Sequence, residues 1–258
     1  MVFKKASSTY DTLLLTMFLA SLVTALVLLK IDAPYGRHKR KGWGPTIPTR
    51  LCWILMEAPA ALGFLWFYFQ GPNAGALVPT ILLWMWELHY MHRAFIYPFQ
   101  IRVKPGSREP LLVMLTGATY CCINAYLNAT FISTYGEHLV KEDWMKDPRF
   151  ILGLVIFHIG YYINKRADAM LRALRASSGE SYKIPRGFLF DYVSMPNYLG
   201  EILSWCGFAL ASWSLAGLSF VVFSLANLVP RAVANHHWYQ NQLKDYPKSR
   251  KAIFPGML

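Results

Sequence analysis

Residues Leu51 to Phe69 read LCWILMEAPAALGFLWFYF, and Glu57 is the only charged residue in this run of nineteen. A run of this length and apolarity is typical of a helix that crosses a lipid bilayer, which takes about 20 mostly apolar residues. An unpaired carboxylate in lipid is costly. The sequence therefore predicts a membrane-spanning helix whose Glu57 side chain faces a protein interior or a cavity.

The rest of the chain has the same character. Its 258 residues are 55% hydrophobic and 16% charged, whereas soluble domains contain roughly 25% charged residues. We predict an all-α, multi-pass membrane bundle of about seven transmembrane helices, forming a single membrane domain over residues 1–258. The spans are expected near residues 13–29, 51–69, 76–97, 111–131, 150–175, 198–213 and 215–235.

The net charge of +12 comes from Lys and Arg that are concentrated in alternate connections. Basic residues mark cytosolic connections, which predicts an external N-terminus and a cytosolic C-terminus. The membrane would be the cytoplasmic membrane in a bacterium and the endoplasmic reticulum in a eukaryote. We expect the lipid bilayer as a partner, no nucleic acid, because no nucleic-acid-binding module is recognisable, and no obligate protein partner.

Polar residues recur at helical spacing near the cytosolic ends of three predicted helices. One such stripe alone would suit a solvated helix end, whereas three together favour a ligand with many polar groups, such as a nucleotide. A Rossmann fold is excluded because no GxGxxG motif follows a strand, so a dinucleotide would bind between helices. The stripes are Asn164, Asp168, Arg172 and Arg175; Asn197, Glu201 and Ser204; and Arg231, Asn235 and Tyr239.

Two further features are open from the residues alone. The segment SSGESYKIPRGFLFDYVSMPN, residues 177–197, is rich in aromatic residues and is either an interfacial segment or a lid over the ligand. His89 and His92 are spaced three apart, but no third ligand stands at a diagnostic distance, so no metal site is predicted.

Three segments carry a family resemblance: HYMHRAFIYPFQIR (residues 89–102), SYKIPRGFLFDYVSMPNYLGE (residues 181–201) and DYPKSRKAIFP (residues 245–255). They resemble the steroid 5α-reductases, membrane enzymes of seven helices that use NADPH. The resemblance runs over most of the chain from Leu51 onward and is weakest in the first helix and in residues 136–149. It implies reduction of the Δ4 double bond of 3-oxo-Δ4-steroids to 5α-dihydro products by hydride transfer to C5.

The resemblance also implies roles for individual residues. Glu57 and Tyr90 are expected to hold the 3-keto oxygen of the substrate, and Trp53 and Phe223 to line the steroid cavity. Asn235 stands where familiar members carry a histidine, and its amide can still donate to phosphate or sugar. The expected cofactor contacts are Asn164, Asp168, Arg172, Arg175, Tyr182, Asn197, Glu201, Arg231, Asn235 and Tyr239.

The role of Glu57 follows from the chemistry of an enone. Hydride attack on its β-carbon drives electrons onto the carbonyl oxygen, and each donor aimed at that oxygen is worth roughly 2.7–4 kcal/mol. We expect Tyr90 and a protonated Glu57 to be these donors. The alternative is that Glu57 pairs with Arg93 or another buried base in a structural role.

Two other classes of function remain open at this stage. One is a membrane methyltransferase of the isoprenylcysteine type, which would bind S-adenosylmethionine. The other is a non-enzymatic sterol-binding or transport protein, which would leave the arginine-bearing stripes without a ligand. The charge on Arg172, Arg175 and Arg231, together with Arg102 and Lys104, favours NADPH over NADH.

Overall fold

The computed structural model of the chain describes residues 7–34, 38, 42–177 and 182–258. These residues are mostly helical, and each predicted span overlaps one long helix. The short helix α4, Tyr97–Gln100, follows α3 after a π-helical turn, His92–Ile96. The seven long helices are α1 Ser8–Leu28, α2 Thr49–Tyr68, α3 Leu77–Met91, α5 Leu111–Thr130, α6 Pro148–Ser177, α7 Pro196–Ser212 and α8 Leu215–Gln242.

Within the described part of the chain, four helical segments are long and apolar enough to cross a membrane: α1, α2, α8 and Leu111–Tyr135, which joins α5 to a second π-helical turn. α1 packs on α5 and α8 but leaves most of its apolar surface uncovered, with Leu15 and Leu22 about 60% exposed. Such a surface suits lipid. The structure thus confirms a mostly helical chain with candidate membrane spans.

Two short strands connect parts of the chain that are far apart in sequence. β1, Thr46–Pro48, pairs antiparallel with β2, Arg108–Pro110, and Ile47 lies opposite Glu109. The Thr49 hydroxyl at the start of α2 donates to the Glu109 carboxylate at 3.1 Å. This pairing fixes the beginning of α2 beside the beginning of α5, at the end of the bundle where the three polar stripes lie.

Four glycines bring α6 and α7 into backbone contact. Gly153 and Gly160 on α6 are seven residues apart, as are Gly200 and Gly207 on α7. A Cβ atom at Gly153 would lie 2.6 Å from the Gly207 carbonyl oxygen, and one at Gly160 would lie 2.6 Å from that of Gly200. Small residues permit this close packing of helices in a membrane. This glycine seam, formed by Gly153, Gly160, Gly200 and Gly207, holds the polar stripe of α6 against that of α7.

The C-terminal tail after α8 closes the same end of the bundle. Backbone hydrogen bonds join Ser194 to Lys251 at 2.8 Å and Met195 to Ala252 at 3.1 Å. The buried Arg250 guanidinium donates to the Pro185 carbonyl oxygen at 3.1 Å. The tail therefore fixes the described part of the 177–197 segment in front of α7.

Candidate active site

The polar ends of α6, α7 and α8 face a cavity of about 730 Å³, which α2, the π-helical turn after α3 and residues 101–107 complete. Pockets of 300–1,000 Å³ are typical for small-molecule and cofactor sites. Nine of the ten expected cofactor contacts line this cavity, and Asn164 is the exception. The nine are Asp168, Arg172, Arg175, Tyr182, Asn197, Glu201, Arg231, Asn235 and Tyr239.

Asn164 is buried behind the cavity wall and supports it. Its side-chain amide donates to the Asn197 carbonyl oxygen at 2.9 Å, and the Asn197 amide donates to the Asp168 carboxylate at 3.0 Å. This chain of hydrogen bonds crosses from α6 to α7 beside the glycine seam. Asn164 therefore orients two residues that line the cavity.

Buried polar atoms without a hydrogen-bond partner among the described residues include Nη1 of Arg172, a donor, and Oδ1 of Asn197, an acceptor. Both residues line the cavity. A buried polar atom without a partner costs about 1–3 kcal/mol. The cavity thus offers a cationic donor and a neutral acceptor to a polar ligand, as an anionic nucleotide with sugar hydroxyls and a carboxamide requires.

Basic side chains from several segments surround the same space. Arg102, on the connection after α4, donates to the Arg175 carbonyl oxygen at 2.9 Å and so covers the C-terminal turn of α6. Arg231 donates to the Tyr198 hydroxyl at 3.0 Å. Lys104 and Lys183 also line the cavity. The bases are therefore spread around the ligand space, as a ligand with several phosphates would need.

Of the four residues expected at the substrate, only Trp53 lines the cavity. Glu57 lies one helical turn deeper on α2 and is 9% exposed. Tyr90 is buried, with its ring stacked on Trp205 at 5.6 Å between ring centroids. Phe223 stacks on Tyr120 at 3.7 Å. The cavity ends just short of the residues that are expected to hold the steroid.

Arg93 stands between the cavity and Glu57. Its Nε donates to the Glu57 carboxyl oxygen Oε1 at 3.3 Å, which is the pairing considered above as the structural alternative. No hydrogen bond joins Glu57 to Tyr90 in the described part of the chain. The catalytic roles of Glu57 and Tyr90 stay predictions. Arg93 is a further residue of the site, which the sequence interpretation named only as a possible structural partner of Glu57.

His38 is a second cavity residue that the sequence interpretation missed. It lies in the connection between α1 and α2, and its Nε2 is 3.2 Å from the Asn235 amide oxygen. It stands in the basic sequence GRHKRK, residues 36–41, whose Lys and Arg indicate the side of the membrane, and the histidine itself is the one signal there of a further role. His38 therefore contacts Asn235, one of the expected cofactor contacts.

His89 on α3 and His92 in the π-helical turn that follows face different surroundings. The ring of His89 packs against Trp205 at 4.7 Å, while the Lys165 ammonium group lies 3.0 Å from Nδ1 of His92. Among the described residues, no group of three or more His, Cys, Asp or Glu side chains comes together as a metal site would require.

Comparison with known proteins shows which family this chain resembles in sequence. The family described as 3-oxo-5-alpha-steroid 4-dehydrogenase matches residues 107–258, more than half of the chain. The chain is similar to "3-oxo-5-alpha-steroid 4-dehydrogenase 1" of Bos taurus, with 41% identity over 92% of this chain and 92% of the relative. The corresponding Rattus norvegicus protein is 39% identical over 92% of this chain and 90% of its own length.

Plant proteins are similar to the same extent. "Steroid 5-alpha-reductase DET2" of Gossypium hirsutum is 40% identical over 94% of this chain and 95% of its own length. The match therefore covers both the N-terminal half, with α2 and α3, and the C-terminal half, with the three polar stripes. On this evidence the chain belongs to the 3-oxo-5-alpha-steroid 4-dehydrogenase family.

Proposed function

We propose that this protein reduces the Δ4 double bond of 3-oxo-Δ4-steroids to the 5α-dihydro product, with NADPH as the hydride donor. The observation that carries the proposal is the cavity, whose lining includes nine of the ten residues expected to contact the cofactor and whose inner end reaches Arg93 and Trp53, beside Glu57. The names of the related mammalian and plant proteins support the reaction class.

The cofactor would lie along the polar stripes. The phosphates of the cofactor would be neutralised by Arg172, Arg175 and Arg231, because one guanidinium group can donate to two phosphate oxygens at once. A hydrogen bond from Asn197 to Asp168 orients both side chains. They would bind the ribose hydroxyls or the nicotinamide carboxamide of the cofactor. NADPH, when bound, supplies the hydride. The residues of the chain orient it and keep water away from its reactive end.

The substrate end would be formed by Glu57 and Tyr90. Hydride addition to C5 places negative charge on the 3-keto oxygen, and the Tyr90 hydroxyl would donate to that oxygen. Glu57 in its acid form would be the second donor, and C4 would then take up a proton that comes from solvent as the enolate returns to the ketone. Trp53 and Phe223 would pack on the faces of the steroid rings, whose apolar surface suits aromatic neighbours.

The membrane arrangement belongs to the same proposal. The chain would form one domain with seven spans, an external N-terminus and a cytosolic C-terminus, in the endoplasmic reticulum or a bacterial cytoplasmic membrane. The polar stripes then open to the cytosol, where NADPH is dissolved. Apolar steroids partition into lipid and would approach the buried pair Glu57 and Tyr90 from the bilayer.

The test is turnover of a Δ4-3-ketosteroid by detergent-purified protein, measured per dinucleotide-binding site. Tyr90→Phe keeps the ring and removes the hydroxyl, so kcat should fall by roughly 10²–10³ while NADPH still raises the melting temperature. Tyr126→Phe is the matched control, since this α5 tyrosine packs on Tyr10 and Phe67 away from the cavity.

Other outcomes separate the alternatives. A thermal shift with S-adenosylmethionine and none with NADPH would support the methyltransferase class. Steroid binding without any reduced product would support a sterol-binding protein. Normal turnover in folded Tyr90→Phe would remove the proposed oxyanion donor while leaving the reaction class intact.

A further inference from the structure

Arg93 occupies a constrained position at the cavity and is not among the proposed cofactor or substrate contacts. It lies in the π-helical turn His92–Ile96, one helical turn after Tyr90. π-helical turns inside longer helices are rare and frequent at functional sites. Here the turn separates α3 from α4, and Arg93 lines the cavity from it.

Two aromatic rings hold the Arg93 guanidinium group. Its carbon atom Cζ lies 4.7 Å from the centroid of the Trp53 ring and 5.0 Å from that of the Tyr97 ring. Both rings line the cavity, whereas Glu57, the hydrogen-bond partner of Arg93, lies beyond its wall. A planar guanidinium stacked in this way has little rotational freedom. The hydrogen bond therefore fixes the Glu57 carboxyl group as well.

The surrounding charges distinguish Arg93 from an ordinary ion pair. Glu57, Glu201 and Asp168 all act electrostatically on its guanidinium group. Glu201 and Asp168 line the cavity and are expected cofactor contacts, whereas Glu57 lies beyond the cavity wall and is an expected substrate contact. The Arg93 guanidinium group thus stands between these carboxyl groups and donates a hydrogen bond to that of Glu57.

We propose that Arg93 is a positioning residue for the reduction: it orients the Glu57 carboxyl group and thereby sets the geometry of the donors around the substrate carbonyl oxygen. This inference rests on the proposed function. It predicts that Arg93 acts on turnover through Glu57 and contributes little to dinucleotide affinity. A displacement of about 1 Å at a reacting group can cost about 100-fold in rate.

The experiment is a double-mutant cycle with Arg93→Lys and Glu57→Gln in the full-length protein. Lysine keeps the charge and loses the planar stack between Trp53 and Tyr97. We expect Arg93→Lys to lower kcat for the steroid about 10- to 100-fold, with the KM for NADPH within about twofold of the wild type. In the Glu57→Gln background the same change should lower kcat no further, since residues that act as a unit are non-additive.

Arg149→Lys is the matched control. Arg149 also bonds a carboxylate, Asp147, and lies between two aromatic rings, Trp144 and Trp213, but it is remote from the cavity lining. Its substitution should leave kcat and both KM values unchanged. An equal fall in kcat for both arginine variants would show a general loss of folded protein and would overturn the proposal.

Two other results would overturn the inference. If Arg93→Lys lowers the melting temperature and leaves turnover per binding site normal, the contact between Arg93 and Glu57 is purely structural. A higher KM for NADPH that persists in the Glu57→Gln background would make Arg93 a cofactor ligand. Absence of steroid reduction in the wild type is a different result, which removes the proposed function itself.

A second variant covers the case in which Arg93→Lys does not fold. Removing both members of a buried ion pair is tolerated better than removing one, so the pair Glu57→Gln with Arg93→Gln should fold. Its turnover should equal that of Glu57→Gln alone. A further tenfold loss in the double variant would contradict the inference.

Discussion

Arg93 and Arg149 each lie beside two aromatic rings and donate to one carboxyl group, but only Arg93 lines the cavity. Arg149 donates to Asp147 through Nη2 at 2.7 Å and through Nε at 2.9 Å. Its guanidinium lies 4.6 Å from the Trp144 ring and 4.8 Å from the Trp213 ring. Arg93 shows the same pattern but makes a single contact of 3.3 Å with its carboxyl group, Glu57.

The difference lies in how each cluster is assembled. Asp147 and Arg149 are two residues apart, and the Asp147 carboxylate also accepts the Arg149 backbone N–H at 2.8 Å, as a helix N-cap does at the beginning of α6. Glu57 and Arg93 are 36 residues apart, on α2 and the turn after α3. A local cluster stabilises its own helix end. A cluster assembled across the fold, at a cavity, places a carboxyl group where chemistry can use it.

Removing the acid of each cluster should give the largest contrast. Glu57→Leu removes one of the two proposed donors at the substrate carbonyl, so turnover should fall by roughly 10²–10³, while Glu57→Gln keeps an N–H donor at that position and should lose less. Asp147→Leu should leave turnover per binding site unchanged. The measurement is steroid reduction by purified protein, with NADPH binding checked by thermal shift. Equal turnover in folded Glu57→Leu and Asp147→Leu would contradict the distinction.

The charge around the cavity should appear in the choice of cofactor. Arg172, Arg175, Arg231, Arg102 and Lys104 carry more positive charge than a pyrophosphate needs, so kcat/KM with NADPH should exceed that with NADH by about 10-fold or more. Arg149→Gln should not change this ratio, because Arg149 is outside the cavity lining. Equal kcat/KM for the two dinucleotides would remove the argument.

Protection from proteolysis should differ between the two ends of the bundle. If residues 182–195 form a lid, saturating NADPH should slow cleavage near Lys183 and Arg186 several-fold, because Tyr182 and Lys183 line the cavity. Cleavage near Lys141 and Lys146, in the connection that precedes Arg149, should proceed at the same rate with and without NADPH. Unchanged cleavage at both places would make the segment an interfacial loop without a lid function.

The sequence predicts some parts of the fold and the site better than others, and the reason is physical. The seven helices follow from apolar runs of bilayer length, and the stripes of α6, α7 and α8 follow from helical spacing, because both patterns are local. The contact of Arg93 with Glu57 depends on how α2 packs against the turn after α3, which no local pattern encodes. His38 reaches Asn235 across an even longer separation.

The glycine seam was visible in principle. Gly153 with Gly160, and Gly200 with Gly207, repeat at a spacing of seven residues in two predicted spans. Such repeats indicate close helix packing in membranes, but they do not identify the partner helix. The sequence of the C-terminal tail indicates only the family resemblance. Its backbone hydrogen bonds with residues 192–195 could not be predicted, because backbone pairing leaves no mark on side-chain patterns.

The smallest effect concerns the charge state of the Arg149 cluster. Hydrogen bonds from the Arg149 side chain lower the pKa of the Asp147 carboxyl to about 2. A lowered carboxyl pKa stabilises the folded state above the unfolded pKa, and this stabilisation is lost as the pH falls toward the folded value. The difference in melting temperature between the wild type and Asp147→Asn should therefore be a few degrees at most and constant from about pH 8 to 5. A difference that shrinks within this range would contradict the pairing.

The central claim is hydride transfer to the steroid at this cavity, and isotope transfer tests it most directly. Purified protein is given a Δ4-3-ketosteroid and NADPH that carries deuterium at the transferable position of its nicotinamide ring, and the product is examined by mass spectrometry and NMR. We expect one deuterium at C5 of a 5α-dihydro steroid, at a rate that Tyr90→Phe lowers and Tyr126→Phe does not. A product without deuterium at C5, or no reduced product from folded protein that binds NADPH, would contradict the claim.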